Sequence, residues 1–184
     1  MEAILKNAEE RMTKSVAALE EEFAGLRTGR ASAAMFDKLR VQYFGNPTPI
    51  NQVASISVPE SRLVVIQPWD KGVLADIERA IHSSELSLNP SNDGKVIRIS
   101  IPPLTEERRK EIVKVARNMA EQSRVAVRNI RRDANDELKK SEKESEISED
   151  DLKRSEDRIQ KLTDQYVEQI NTLLSAKENE ILEI

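Results

Sequence analysis

All seven prolines of this 184-residue chain lie between Pro47 and Pro103, and neither flank contains one. Proline cannot donate a backbone hydrogen bond, and its ring collides with the preceding helical turn. The middle of the chain therefore cannot be continuous helix, whereas both flanks can. In the first flank Leu5, Ala8, Met12, Val16, Leu19, Phe23 and Leu26 recur at three- and four-residue steps. That spacing predicts an amphipathic helix over about residues 2–27, with Gly29 as its C-terminal stop.

Past Pro102-Pro103, Thr105 is placed to cap a second helix, with Glu106 and Glu107 in its first turn, where carboxylates complement the helix dipole. The pattern continues to about Lys143, a length of about 60 Å. Its apolar face is expected to carry Ile112, Ala116, Met119, Val127, Ile130 and Ala134. The polar run KKSEKESEISEDD at 139–151 reads as a turn, and Ser148-Glu149-Asp150-Asp151 as a second capping signal. A third helix follows, marked by Leu152, Ile159, Leu162, Tyr166, Ile170, Leu173 and Ile181. Three apolar stripes of this kind are buried together in a three-helix bundle. The expected class is α+β: a long bundle made of residues 1–30 and 105–184, with a small β/α/β domain at 31–104 inserted between its first two helices.

The insert changes period. Leu39 to Phe44 reads as a strand, followed by a turn at Gly45-Asn46-Pro47. Gln52 to Val58 and Arg62 to Gln67 read as further strands, and Val96, Ile97, Ile99 and Ile101 as a last one. Asp70 can cap a short helix bearing Val73, Leu74, Ile77 and Ile81. The chain passes from bundle to insert near Gly29, Arg30 and Ala31 and returns through Pro102, Pro103, Leu104 and Thr105. Two crossings side by side can serve as a hinge.

Charge is segregated along the chain. Residues 105–132 hold nine Lys/Arg against four Glu, a local +5, within a chain whose net charge is −4. Mapped at about 100° per residue, Lys110, Lys114, Arg117, Arg124, Arg128 and Arg131 share one face of the second helix. A row of guanidinium forks suits a row of phosphates, which points to a nucleic-acid-bearing partner despite the acidic total. The aromatic residues do not interleave with these arginines, so the expected contact is with phosphate and sugar, without base stacking.

Other chemistries lack their parts. With no cysteine there is no disulfide, thiolate nucleophile or thiolate metal site. His82 is the only histidine, and a lone histidine reads as a surface or core-edge residue. Glu149-Asp150-Asp151 lacks the glycine and alternating ligands of a calcium loop, so no metal is expected. The five scattered glycines form no phosphate-cradling loop. No enzyme and no cofactor is expected, and any energy must come from a partner. No apolar run approaches a membrane span and MEAILKNAEERM is not a secretory leader, so a cytoplasmic protein with no membrane partner is expected.

Several long motifs, in order, carry a resemblance. They are Arg27-Thr28-Gly29-Arg30-Ala31-Ser32, Asn46-Pro47-Thr48-Pro49, Leu88-Asn89-Pro90, the run from Pro102 to Lys110, the run from Arg124 to Asp136, and Ile147-Ser148-Glu149-Asp150-Asp151. Over essentially its whole length the chain resembles the ribosome recycling factors. The resemblance implies a roughly L-shaped molecule with a flexible elbow. It would bind the large ribosomal subunit and its RNA. With elongation factor G and GTP it would split the post-termination ribosome into subunits, releasing messenger and transfer RNA. The elongation factor would supply GTP hydrolysis.

Carried over by position, Arg128, Arg131 and Arg132 would grip RNA at the tip of the rod. Arg109 and Lys110 would contact it near the elbow, and Arg27 and Arg30 would lie near RNA and the hinge. Arg117 and Arg124 extend the row by their helical face alone. The rival reading is a structural coiled-coil adaptor, which would dimerise, whereas an intramolecular bundle is expected to be a monomer.

Overall fold

A computed structural model describes residues 1–182. Contacts divide the described chain into two units, one made of Met1–Leu26 with residues 107–182, the other of Arg27–Glu106.

The first unit consists of three long helices: α1 (Glu2–Ala24), α4 (Glu106–Lys143) and α5 (Glu149–Leu182). In α1 the predicted stripe from Leu5 to Phe23 is buried. Each such Leu, Val or Phe contributes about 1.5–3 kcal/mol relative to exposure. The helix stops earlier than expected, at Gly25, whose amide donates to Glu21 O at 3.2 Å. Gly25 is a poor helix former, so the chain leaves the helix before Leu26, which is only half-buried.

The buried seam of α4 also differs from the sequence reading. Ile112, Ala116, Val127, Ile130 and Ala134 are buried as expected, but Ala120, Ser123 and Leu138 complete the seam and Met119 is half-buried. Small residues at Ala116, Ala120 and Ser123 let the helices approach closely, because interaxial distance follows the side chains at the contact. Likewise, Leu152, Leu162 and Leu173 of α5 are half-buried, while Ser155, Ile159, Thr163, Tyr166, Ile170 and Ile181 form its inner face.

Cross-helix pairs fix direction. Along α1, Glu2 meets Arg158 and Thr13 meets Tyr166, so α1 and α5 run parallel. Arg117 meets Glu178, Arg124 meets Asn171, and Arg131 meets Gln160, so α4 runs antiparallel to α5. The Ser148 signal closes as a reciprocal cap: the Asp151 amide donates to Ser148 Oγ at 3.1 Å, and the Ser148 amide donates to the Asp151 carboxylate at 3.4 Å.

The second unit holds a two-stranded ribbon, β1 (Arg40–Tyr43) and β2 (Asn46–Pro49), and a one-turn helix α2 (Ile50–Val53). It also holds the strands β3 (Ala54–Glu60), β4 (Leu63–Pro68), β5 (Pro90–Asn92) and β6 (Ile97–Ser100), and the helix α3 (Leu74–His82). The four strands pair antiparallel in the order β3-β4-β6-β5. Phe36, Val41, Ile50, Val64, Ile66, Ile77, Ile81, Ile97 and Ile99 lie in its core.

Two details depart from the sequence reading. The strand expected from Gln52 begins at Ala54, because Ile50 and Val53 sit three apart and a single helical turn buries both. The turn expected at Gly45-Asn46-Pro47 lies at Phe44-Gly45, with φ of 48° and 80°, and Asn46–Pro49 returns as β2. Positive φ at both central residues marks the tight hairpin turn whose twist matches the strands.

Candidate nucleic-acid interface

The row on α4 begins with Lys110 and Lys114, both exposed. It continues along the flank that faces α5, and there its members differ. Arg117 Nε donates to Glu178 Oε1 at 2.6 Å, which raises the guanidinium further above its ordinary value. Arg124 is largely enclosed, with 17% of its side chain exposed; it donates to Glu121 at 2.9 Å and to Asn171 Oδ1 at 2.8 Å. Arg128 shares that same Glu121 at 3.4 Å. The hydrogen bond from Arg124, with lesser help from Arg128, holds the Glu121 carboxyl below its ordinary range.

Further along, charge is left uncompensated. Among the described residues Arg131 donates only to the neutral amide oxygen of Gln160, at 3.3 Å. Arg132 is exposed and makes no hydrogen bond or ion pair among the described residues. The nearest following acid in sequence, Asp133, is taken by Arg11 of α1 at 2.9 Å. Thus Glu121 serves both Arg124 and Arg128, and Arg131 and Arg132 keep their full charge. Surface ion pairs are worth about 0–1 kcal/mol, so phosphate can displace Glu178 or Glu121 from their arginines at little cost.

Arg109 stands apart from the row. It lies three and seven residues before Ile112 and Ala116, on the buried side of the helix; it is half-buried, and its Nε is buried with no hydrogen-bond partner among the described residues.

The expected hinge residues fall at the ends of the second unit. Gly29 is buried and adopts φ 82°, the left-handed region that glycine enters without penalty. Arg27 and Arg30 are exposed, and an Arg27 guanidinium N–H donates to Leu86 O at 3.5 Å. The Ala31 amide donates to Ser61 O at 2.7 Å and the Ile101 amide to Arg62 O at 2.8 Å. Adjacent residues of one turn therefore hold both the incoming and the outgoing strand of chain. Pro102 and Pro103 are exposed, Leu104 is half-buried and Thr105 is exposed.

Sequence reasoning passed over two features of the second unit. Phe44 is 83% exposed and Trp69 70% exposed. Their signal was position: each follows a strand at a chain reversal, where a large apolar side chain has nothing to pack against. His82 is exposed, and among the described residues no group of three or more His, Asp or Glu could hold a metal. No helix among them is long and apolar enough to cross a membrane.

The model of one protein family, described as ribosome recycling factor, matches residues 19–182. The chain belongs to the ribosome recycling factor family. It is 62% identical to the ribosome-recycling factor of Treponema denticola, with 100% of this chain and 99% of that protein covered. It is 59% identical to the ribosome-recycling factor of Oleidesulfovibrio alaskensis, with 100% of both covered. Among solved structures of the family, it matches a solution structure of the ribosome recycling factor with a TM-score of 0.78 at 48% identity, covering 100% of this chain and 97% of that one. A second match, at TM-score 0.66 and 49% identity with 98% of each chain covered, comes from models for the T. thermophilus ribosome recycling factor and the E. coli elongation factor G bound to the E. coli post-termination complex. These likenesses agree with the α+β reading of long helices and a small β-containing unit.

Proposed function

We propose that this chain recycles ribosomes after translation termination. It binds the large subunit through RNA and acts with elongation factor G to separate the subunits. The cluster of Arg128, which shares Glu121 with Arg124, and the uncompensated Arg131 and Arg132 carries the reading, because it offers a compact positive surface on a rigid helix inside an acidic chain. Family membership and the ribosome-bound relative support it. On this reading the chain is not an enzyme, and the elongation factor supplies GTP hydrolysis. The crossings at 29–31 and 102–105 act as the hinge through which force on the second unit reaches the rod. Binding energy drives splitting only to the extent that the chain fits the separated state better than the joined one.

The coiled-coil adaptor has no observation in its favour. The stripes it would need for a partner helix are buried against one another within a single chain.

Light scattering on post-termination ribosomes, with elongation factor G and GTP, tests the proposal. The wild type should dissociate the subunits, and Arg131→Gly should do so more weakly, with ribosome affinity reduced by about 1–3 kcal/mol. No splitting by the wild type with matched factors would refute it.

A further inference from the structure

The second unit carries a cationic concavity that the row on α4 does not account for. It measures about 410 Å³, within the range of small-ligand clefts, and is lined by Lys38, Arg40, Gln42, Asp76, Arg79 and Ser83 among others. Residues 31–104 have seven bases and seven acids. Three of those bases line this one hollow, against the single acid Asp76, which pairs with Arg79 at 3.4 Å. Arg40 is held in place by its own backbone: one guanidinium nitrogen donates to Asp37 O at 3.1 Å and to Leu39 O at 3.3 Å. Its remaining N–H donors need no rearrangement to meet an anion.

The ribbon adds an aromatic. Arg40 and Gln42 are exposed on one side of β1 with buried Val41 between them, and both line the hollow. Phe44 follows two residues on, in the turn that ends β1. Phe44 is 83% exposed and its ring stands edge-on to Tyr43 at 4.6 Å, on a backbone with φ 48°. A phenylalanine in the left-handed region is strained, and asparagine or glycine would suit this turn better. Apart from that edge contact with Tyr43, a strained, solvent-facing aromatic buries little for the fold, which points to a contact made outside the chain.

We infer that the β1–β2 ribbon and the adjoining hollow form a second RNA contact, where phosphates of a single-stranded segment lie against Lys38, Arg40 and Arg79 while a base stacks on Phe44. Cationic groove and aromatic platform together are the two parts of single-strand recognition. The inference rests on the ribosomal reading for its setting, but not on the row on α4.

Fluorescence anisotropy of a short labelled single-stranded RNA of mixed sequence, titrated with full-length protein across a salt series, tests it. The background variant is Arg128→Ala/Arg131→Ala/Arg132→Ala, which removes the cationic cluster of the α4 row. Adding Lys38→Ala/Arg40→Ala/Arg79→Ala should lower the salt slope by about two, at about 0.7 for each phosphate no longer neutralised. Adding Phe44→Ala instead should weaken binding on the order of tenfold with the slope unchanged. Lys38→Glu, at an exposed residue with no hydrogen bond among the described residues, repeats the test without risk to folding. Unchanged binding in all three overturns the inference. Unchanged RNA binding, with ribosome splitting abolished when Lys38→Ala/Arg40→Ala/Arg79→Ala is placed in the otherwise wild-type chain, also overturns it, assigning the hollow to an acidic protein surface. Loss of RNA binding here, in a chain whose wild type fails to split ribosomes, would sustain this contact and sink the ribosomal reading alone.

Discussion

Glu178, near the end of α5, holds Arg117 of α4 through a 2.6 Å hydrogen bond to its Nε. An arginine engaged by a carboxylate is masked from phosphate until that carboxylate lets go. Glu178→Gln keeps the shape of the contact and removes the competing charge. Ribosome affinity should rise, and the salt slope should steepen by up to about one. An unchanged affinity and an unchanged slope together, measured by filter binding over a salt series, would exclude Arg117 from the RNA contact.

Arg132 and Arg124 occupy opposite ends of a division of labour within one row. Arg132→Ala should leave the melting temperature within error and reduce the salt slope by about one, because the side chain is exposed and makes no bond within the described chain. Arg124→Ala removes a largely enclosed side chain with two acceptors, Glu121 and Asn171. It should cost about 1–3 kcal/mol of stability. Thermal melts beside salt-dependent binding separate the two; equal effects on stability would refute the division.

Gly29 tests the crossing. An alanine forced into its φ of 82° costs about 1–2 kcal/mol. Gly29→Ala should lower the melting temperature and slow subunit splitting more than it weakens ribosome binding. Splitting at the wild-type rate, with an unshifted melt, would remove this residue from the hinge.

Asp93 gives the second unit an acid-sensitive turn. One carboxylate oxygen accepts the amides of Lys95 and Val96, each at 2.9 Å, and the other pairs with Arg98. The two backbone amides, aided by Arg98, hold the carboxyl well below its ordinary range. A depressed native pKa stabilises the fold above the unfolded pKa, and that contribution is lost as pH falls through the native value. Fluorescence of Trp69, the only tryptophan, reports this unit. Denaturant melts followed by Trp69 should show wild-type stability falling from about pH 5 to about pH 2, with a shallower fall in Asp93→Asn. Parallel curves would refute the assignment.

The long helices were legible because a single period of 3.6 runs through them unbroken, and Ser148 with Asp151 marked a boundary by chemistry alone. Met119 misled because periodicity favours the larger apolar side chain, whereas close helix packing selects Ala120 and Ser123. The strand β2 was missed because Pro47 and Pro49 argue against a strand; a two-stranded ribbon tolerates them where no amide need be donated. The helical projection found the row of cations but not Glu178, Asn171 and Gln160, which come from a helix distant in sequence. Which arginines are masked is a tertiary fact. The hollow at Lys38, Arg40 and Arg79 was invisible for the same reason, since β1 and α3 meet only on folding.

Ser61 and Arg62, by grasping Ala31 and Ile101, return the chain to its point of departure. The entropy of closing a loop depends on the span between its ends. Once the second unit has folded, α1 and α4 are no longer separated by the whole excursion from Arg27 to Glu106, but by two short stubs of chain. The turn thus shortens the effective tether between two helices to which it does not belong. Formation of the small unit makes the bundle easier to close, so the two cores, though built from different residues, are coupled in stability.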